Sequence, residues 1–356
     1  MATGDQARGA VDEQPEDGRR PTISDVAAHA GVSVTTVSHV LSGRRPVSPS
    51  TQAKVRRSID ALAFRPNEIA RSMRSQRTHT VAIVIPNIAH VVYPVVARGV
   101  NDELRPLGYQ TAIYDTDGDP RIKAEVLQAV TARRVDGVIM FGFDMTSADA
   151  AVLEEADVAF VNGGLNAATD GPWDCVRSNQ PAGMQDATRH LVGRFGGPVA
   201  FLGGMPGDGP ADIRESGFRS GMAAAGLEVD ERLVRRVPYS WEGGRHAVAE
   251  LLAGPVVPRS VVCANDLIAI GGMAAARDRG LDVPGDMAFT GYDNIEAGTM
   301  VATTLTSVES YPNEQGRACA RLLLDRISRG YSGPARHVGI DTDLIVRRSS
   351  TPRDDV

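Results

Sequence analysis

Residues 23–41 read ISDVAAHAGVSVTTVSHVL. Ile23, Val26, Ala27 and Ala30 recur at helical spacing, and Thr22 stands at the N-cap with Asp25 three residues on, the pattern of a capping box. Gly31 ends that helix, and Ser33 caps a second one that runs through Val37, Val40 and Leu41 to Ser42-Gly43. A third is predicted from Ser48 as cap, Pro49 at its first position and Val55, Ile59 and Leu62 as its apolar face. A helix, a Gly-centred turn and a second helix with small polar residues on its outer face form the outline of a DNA-reading helix-turn-helix. Val34, Thr35, Thr36 and His39 occupy that outer face, while Val37, Val40 and Leu41 point inward. An αα-hairpin in any helical domain shares the outline, so charge has to weigh in.

The chain of 356 residues carries a formal charge of −6, but unevenly. Residues 1–18 sum to −4, residues 19–77 to +8 and residues 78–356 to −10. A short basic module beside an acidic body suits a polyanionic partner. Residues 1–20 are acidic, polar and almost without large apolar side chains, so they read as a disordered tail. Residues 67–75, NEIARSMRS, make a helical pattern of about two turns, too short to be ordered without a partner.

From Val81 the pattern changes. Apolar runs at 81–86, 109–115, 137–142, 158–163, 198–204, 260–266 and 287–293 alternate with helical stretches, the pattern of parallel sheets covered on both faces. More than 260 residues of it are expected to form two lobes. No apolar run approaches the ~18 residues of a membrane helix, and MATGDQARGAVDEQPEDGRR has no apolar segment of a secretory signal. Cys175, Cys263 and Cys319 are far apart in sequence and form no C-x-x-C pair, which argues against a disulfide framework or a zinc site and fits a reducing cytoplasm. The seven histidines are scattered, there is no G-x-S-x-G or H-E-x-x-H, and GGMPGDG at 203–209 lacks the spacing of a phosphate loop. No metal, no cofactor and no enzymatic activity are expected. A solute-binding protein of the transport type without a DNA role would share the body, but not the basic helical module.

Thr22-Ile23-x-Asp25-Val26-Ala27-x-x-Ala30-Gly31-Val32-Ser33-x-x-Thr36-Val37-Ser38-x-Val40-Leu41 resembles the signature of the LacI/GalR (lactose-repressor) family of bacterial transcription regulators. The resemblance continues at Val47-Ser48, Pro66-Asn67, Ala70-Arg71, Cys263-Ala264-Asn265-Asp266, Gly280-Leu281-x-Val283-Pro284-x-Asp286, Gly291-Tyr292-Asp293-Asn294 and Leu344–Ser349, in one register over about 21–350. It implies an all-α helix-turn-helix headpiece (21–66), a hinge helix (67–76) and an α/β two-lobed periplasmic-binding-protein-like body of type I with parallel sheets (80–350). The first lobe would comprise 80–176 and 308–335, the second 177–307 and 336–350. It also implies a cytoplasmic homodimer, with no membrane partner, on a pseudo-palindromic operator in double-stranded DNA. A small-molecule effector, a sugar or sugar-like metabolite, would bind between the lobes.

By the same resemblance Ser33, Val34, Thr35, Thr36 and His39 belong to the DNA-reading helix, and Ala70, Met73 and Arg74 to the hinge against the minor groove. Met73 stands where relatives carry a Leu wedge, and His39 where many carry Arg. In the cleft, His90 and Tyr93 lie in a stretch that in relatives carries Asn-Pro-Phe-Phe, and Asn162 stands where an Asp is common. Arg214, Tyr239, Asn265 and Asp293 match positions that hold effector oxygens or cover the ligand with an aromatic face. Such a set suits vicinal hydroxyls through charge-assisted bonds and a sugar's C–H surface through a ring. On this reading, replacing Arg214 or Asp293 abolishes the effector response and leaves folding nearly intact.

Overall fold

The computed structural model describes residues 21–42, 45–65, 77–132, 135–142, 145–164, 171–206, 210–328 and 330–351. The expected tail and hinge, with Ala70, Met73 and Arg74, lie outside the described residues. The chain divides into a unit ending at Gln76 and a unit beginning at Arg77.

The first unit is the three-helix module. α1 (Ile23–Ala30) starts with the capping box of Thr22 and Asp25 and ends on Gly31 at φ 66°. α2 (Val34–Ser42) is capped by Ser33, whose hydroxyl accepts from the Thr36 amide at 3.1 Å. α3 (Pro49–Ala61) has Ser48 as N-cap and Pro49 in its first turn. Val26, Ala27, Val37, Val55 and Phe64 are its buried core. Leu41, expected inside, is 39% exposed: the small core is already closed by Phe64, a residue the helical pattern of α3 stops short of.

The body holds two six-stranded sheets. The first has the order β11-β5-β4-β3-β1-β2, all parallel. Its strands are β1 (Thr80–Ile85), β2 (Gln110–Asp115), β3 (Gly137–Phe141), β4 (Ala159–Gly163), β5 (Asp174–Ser178) and β11 (His337–Ile340). The second has the order β12-β10-β9-β8-β6-β7, parallel except that β12 runs antiparallel to β10. Its strands are β6 (Val199–Gly203), β7 (Val234–Arg236), β8 (Ser260–Cys263), β9 (Ala288–Tyr292), β10 (Thr306–Glu309) and β12 (Asp343–Ile345).

Period-two alternation divides each sheet between two cores. In β1, Val81, Ile83 and Ile85 pack with residues of α4 (Val92–Leu104) and α12 (Pro312–Ser328). Ala82 and Val84 pack on the opposite face with residues of α5 (Pro120–Ala132) and α6 (Ser147–Glu155). The second sheet does the same. Ala200, Leu202, Val261 and Cys263 face α9 (Trp241–Ala253) and α10 (Asp266–Asp278), while Val199, Phe201, Val262 and Ala264 face α7 (Gln180–Phe195) and α8 (Ala211–Ala224). A short α11 (Ala297–Met300) follows β9.

The lobe boundaries depart from the expected ones. Residues 337–340, expected in the second lobe, pair with β5 in the first sheet. Residues 308–309, expected in the first lobe, end β10 in the second. The reason lies in α12: it packs on the first lobe, so the chain leaves it beside the open edge of β5 and adds β11 there before crossing. The crossings therefore fall between β5 and α7, β10 and α12, and β11 and β12.

α4 and α12 touch backbone to backbone. A Cβ at Gly99 would collide with the Asn313 carbonyl oxygen, and one at Gly316 with that of Val96. Gly193 in α7 is the contrast, with no heavy atom within 4 Å of an added Cβ. Gly99→Ala is therefore expected to destabilise the body by about 1–3 kcal/mol through overpacking, and Gly193→Ala to be neutral or to stabilise by up to about 1 kcal/mol through helix propensity. Urea denaturation of both variants checks the difference in sign; equal midpoints would contradict the close approach of α4 and α12.

Candidate functional site

The centre of the body is a buried guanidinium. Arg214 projects from the first turn of α8, and its side chain is 7% exposed. Its Nε donates to Gln180 Oε1 at 2.9 Å, Nη1 to the Ala264 carbonyl at 2.6 Å and Nη2 to Asp293 Oδ1 at 2.9 Å. Its plane lies 3.9 Å from the ring centre of Tyr292. Gln180 begins α7 at the first crossing, Ala264 follows β8, and Asp293 follows β9. One side chain at the start of α8 thus ties two strand ends and a crossing together. Burial is the largest single influence and works against the Arg214 charge, yet Asp293, Tyr239 and Tyr292 together outweigh it and the guanidinium is held protonated.

Asp293 is itself held by a frame. It has φ 95° and Asn294 φ 47°, left-handed values that are uncommon without glycine. Asp293 N donates to the Val308 carbonyl and Asn294 N to Ser307 Oγ. Asn294 Oδ1 accepts from Arg347 at 2.7 Å. Asp266 completes the frame, accepting from Ile295 N at 2.8 Å and from Ser307 Oγ at 2.6 Å. Burial pushes the Asp266 carboxyl up to about 8, against the Ser307 hydrogen bond that favours its ionised form.

Aromatic side chains from both lobes meet here. His90, just before α4, and Tyr93, in the first turn of α4, have rings 5.6 Å apart. His90 also meets Tyr239, which precedes α9, edge to face at 6.1 Å. Gly142 and Gly204, each just past a strand, make room for them: a Cβ at Gly142 would collide with Tyr93 Oη, and one at Gly204 with the Tyr239 ring. Burial lowers the His90 pKa, so the imidazole is neutral at pH 7, and burial raises the Tyr93 phenol well above its usual range. Beside this wall, the start of α4, the 293–297 loop and residues 309–314 enclose a cavity of about 630 Å³.

Of the expected cleft residues, His90, Tyr93, Arg214, Tyr239 and Asp293 come together. Asn265 sits beside the Arg214–Ala264 bond, but its Oδ1 caps α10 at the Ile268 amide. Asn162 is buried at the end of β4, next to Gly164 and in the first lobe alone. On the headpiece, Ser33, Val34 and Thr35 are exposed and Thr36 and His39 partly so, while the Ser33 and Thr36 hydroxyls bond to each other at 2.8 Å. Gln180 and Ser307 were missed by sequence reasoning, and Asp266 and Asn294 were seen within motifs but given no role. For Asp266 a signal existed: an acid where the apolar run of β8 passes into a helix. Gln180 and Ser307 carry none. Among the described residues no group of three His, Cys, Asp or Glu side chains could hold a metal ion, and no helix is long and apolar enough to cross a membrane.

A three-helix module with an exposed polar second helix and a two-lobed body with a polar, aromatic-walled junction define a transcription regulator with a binding-protein-like body. Residues 22–67 match the profile of bacterial regulatory proteins of the lacI family, and residues 188–350 that of the periplasmic binding protein-like domain. The ribose operon repressor of Escherichia coli is 30% identical over 308 residues, 86% of this chain and 93% of that one. Among solved structures, a complex of the regulator CelR with cellobiose is 31% identical at a TM-score of 0.68, covering 93% of this chain and 100% of that one. The lac repressor dimer bound to operator and the anti-inducer ONPF is 22% identical at a TM-score of 0.84, covering 94% and 100%. The chain belongs to the lacI family of bacterial regulatory proteins.

The burial of Arg214 overturns the expectation that its loss is silent for folding. Arg214→Ala leaves the Asp293 carboxylate buried without its counter-charge, a cost of about 3–5 kcal/mol. Chemical denaturation should show that loss, with Arg214→Ala/Asp293→Ala losing less than the two single variants summed; additive losses would contradict the pairing.

Asp266 makes stability depend on pH with a definite sign. Its folded pKa, about 8, lies above the ordinary carboxylate value of 3.8, so the folded state keeps a proton that the unfolded chain has released. The contribution is fully present below pH 3.8 and is lost as pH rises towards 8. In Asp266→Asn the amide can donate to Ser307 and accept from Ile295, with no proton to lose. The wild-type melting temperature should therefore fall more steeply than that of Asp266→Asn between pH 6 and 8.5; parallel curves would show an ionised Asp266.

Proposed function

We propose that this regulator is a cytoplasmic repressor without enzymatic activity, binding a pseudo-palindromic operator as a homodimer and answering to an uncharged sugar between its lobes. The observation that carries the effector class is charge balance. The Arg214 guanidinium is neutralised by Asp293, His90 is neutral, and Tyr93 keeps its proton. Among the residues described around this site, a phosphorylated ligand would meet Arg214 already paired with Asp293, whereas hydroxyls could share the two Arg214 N–H groups beyond its three protein bonds. The Asn265 amide nitrogen would bond a further hydroxyl, and the rings of Tyr93 and Tyr239 would cover C–H surface. That one relative is named a ribose operon repressor and another is solved with cellobiose supports the class.

For the DNA, a single recognition helix per chain reads a half-site, so two copies would place half-sites about one helical turn apart. Val34 and Thr35 present their side chains outward at the start of α2, with His39 one turn on. Ala70, Met73 and Arg74 would enter the minor groove, with Met73 as an apolar wedge between base pairs.

A thermal-shift series on the whole chain tests the effector class. Ribose, cellobiose and other neutral mono- and disaccharides are compared with sugar phosphates and purines. A ligand that binds only the folded state stabilises it by about 2.7 kcal/mol at 100 times its Kd. A neutral sugar should raise the melting temperature and its phosphorylated form should not. A shift with the phosphate alone would contradict the charge argument.

A further inference from the structure

The chain enters the body through a tight set of bonds that neither the cleft nor the headpiece uses. Asp136, just before β3, accepts from Thr78 N at 2.6 Å and Thr78 Oγ1 at 2.9 Å with one carboxylate oxygen, and from His79 N at 3.0 Å with the other. Its own amide donates to the Thr80 carbonyl at 2.9 Å. His79 takes φ 51°, a left-handed turn that this grip holds in place. Two residues earlier, Arg77 Nη2 donates at 2.5 Å to the Ile327 carbonyl, one of the carbonyls that the last turn of α12 leaves without an intrahelical partner. The two anchors are neighbours: a Cβ at Gly137 would lie 2.9 Å from side-chain carbons of Ile327 and Leu323, so the end of α12 sits directly on the start of β3.

α12 also reaches the other end of the lobe. Its 17 residues span about 26 Å. Its first turn follows the β10 crossing, lines the interlobe cavity through Pro312–Glu314 and is locked to α4 at Gly99 and Gly316. The helix thus connects the β10 crossing to Ile327, the partner of Arg77.

We propose that Asp136 and the carboxyl end of α12 form a socket that fixes where, and in which direction, the hinge segment joins the body. Asp136 and Arg77 are then positioning residues for operator binding that touch no DNA. The inference rests on the operator-binding reading above. A helix of about two turns, as the sequence of residues 67–75 leads one to expect, is marginal by itself, so on this proposal its direction is set by the attachment. In a dimer, two such attachments set the distance between the half-sites. Loosening one widens the range of hinge positions and weakens specific binding, while contacts to phosphate on random DNA survive.

The test uses the full-length protein. Wild type selects its operator from random duplexes, and variants of that site with one base pair inserted or removed at the centre are made. Affinity for each and for random duplex is measured for wild type, Asp136→Ala, Asp136→Asn and Thr78→Val. Lys123→Met is the control, breaking the buried 2.7 Å ion pair with Asp149 in the same lobe, at the opposite end of α5 from Asp136. Asp136→Ala should lose operator affinity tenfold or more and the preference for one spacing, with binding to random DNA within twofold of wild type. Thr78→Val and Asp136→Asn should show smaller losses in the same direction, and Lys123→Met should keep the spacing preference despite a lower melting temperature. Wild-type affinity and spacing in Asp136→Ala would overturn the proposal, as would an equal loss in Lys123→Met. If Asp136→Ala does not fold, wild-type affinity and spacing in both Thr78→Val and Asp136→Asn would overturn it. If wild type selects no operator, the regulator reading falls, and the socket with it.

Discussion

A buried charge must be neutralised and fully hydrogen-bonded, and the pairing of Arg214 with Asp293 is where this body meets that demand. The desolvation of both groups is offset only because Gln180, the Ala264 carbonyl and the Tyr292 ring supply the remaining contacts. Each lies on a different segment. The pair therefore fixes the ends of β8 and β9, the start of α8 and the first crossing relative to one another. The frame around Asp293 follows from it: two left-handed residues persist because Asp266, Ser307 and Arg347 hold the loop that aims the carboxylate. The same pair that stabilises the second lobe also sets the charge state a ligand would meet.

The first lobe is tightly joined along one helix pair. α4 and α12 are joined at backbone contact distance through Gly99 and Gly316, and Arg317 bonds to Asp102 and Glu103 across the same interface. Packing that close is bistable rather than soft. α12 runs from the cavity at Pro312–Glu314 to Ile327, whose carbonyl accepts from Arg77. His90 and Tyr93 belong to this lobe while Tyr239 and Arg214 belong to the other.

Much of this was legible in the residues. The headpiece caps, Thr22 with Asp25 and Ser48 with Pro49, act within four residues, and the structure repeats them. All seven apolar runs became strands: β1, β3, β6, β8 and β9 are buried along almost their whole length and so read as near-continuous apolar runs, while β2 lies at the sheet edge and is only partly buried. β5, β7, β10, β11 and β12 were not foreseen. Asp174–Ser178 contains Asp174 and Arg177, and Asp174 is buried only because Arg326 and Arg336 reach it from elsewhere in the chain. β7 and β12 are three residues long. β11 owes its place to the open edge of β5, which no local pattern encodes. The cleft divides in the same way. His90, Tyr93, Arg214, Tyr239 and Asp293 were matched by motif, whereas Gln180 and Ser307 act through partners 34 and 41 positions away. Leu41 shows the opposite failure: helical spacing assigned it inward, but a three-helix module has little interior to offer.

The most direct measurement of the link between cleft and DNA is reciprocal binding on one protein preparation. Operator affinity is determined with and without a saturating sugar from the thermal-shift series, and the affinity for that sugar with and without operator. If the cleft governs DNA binding, both change, and linkage requires the same factor in each direction, on the order of 5–150-fold for typical coupling energies. Identical operator affinity with the cleft filled and empty would contradict the account.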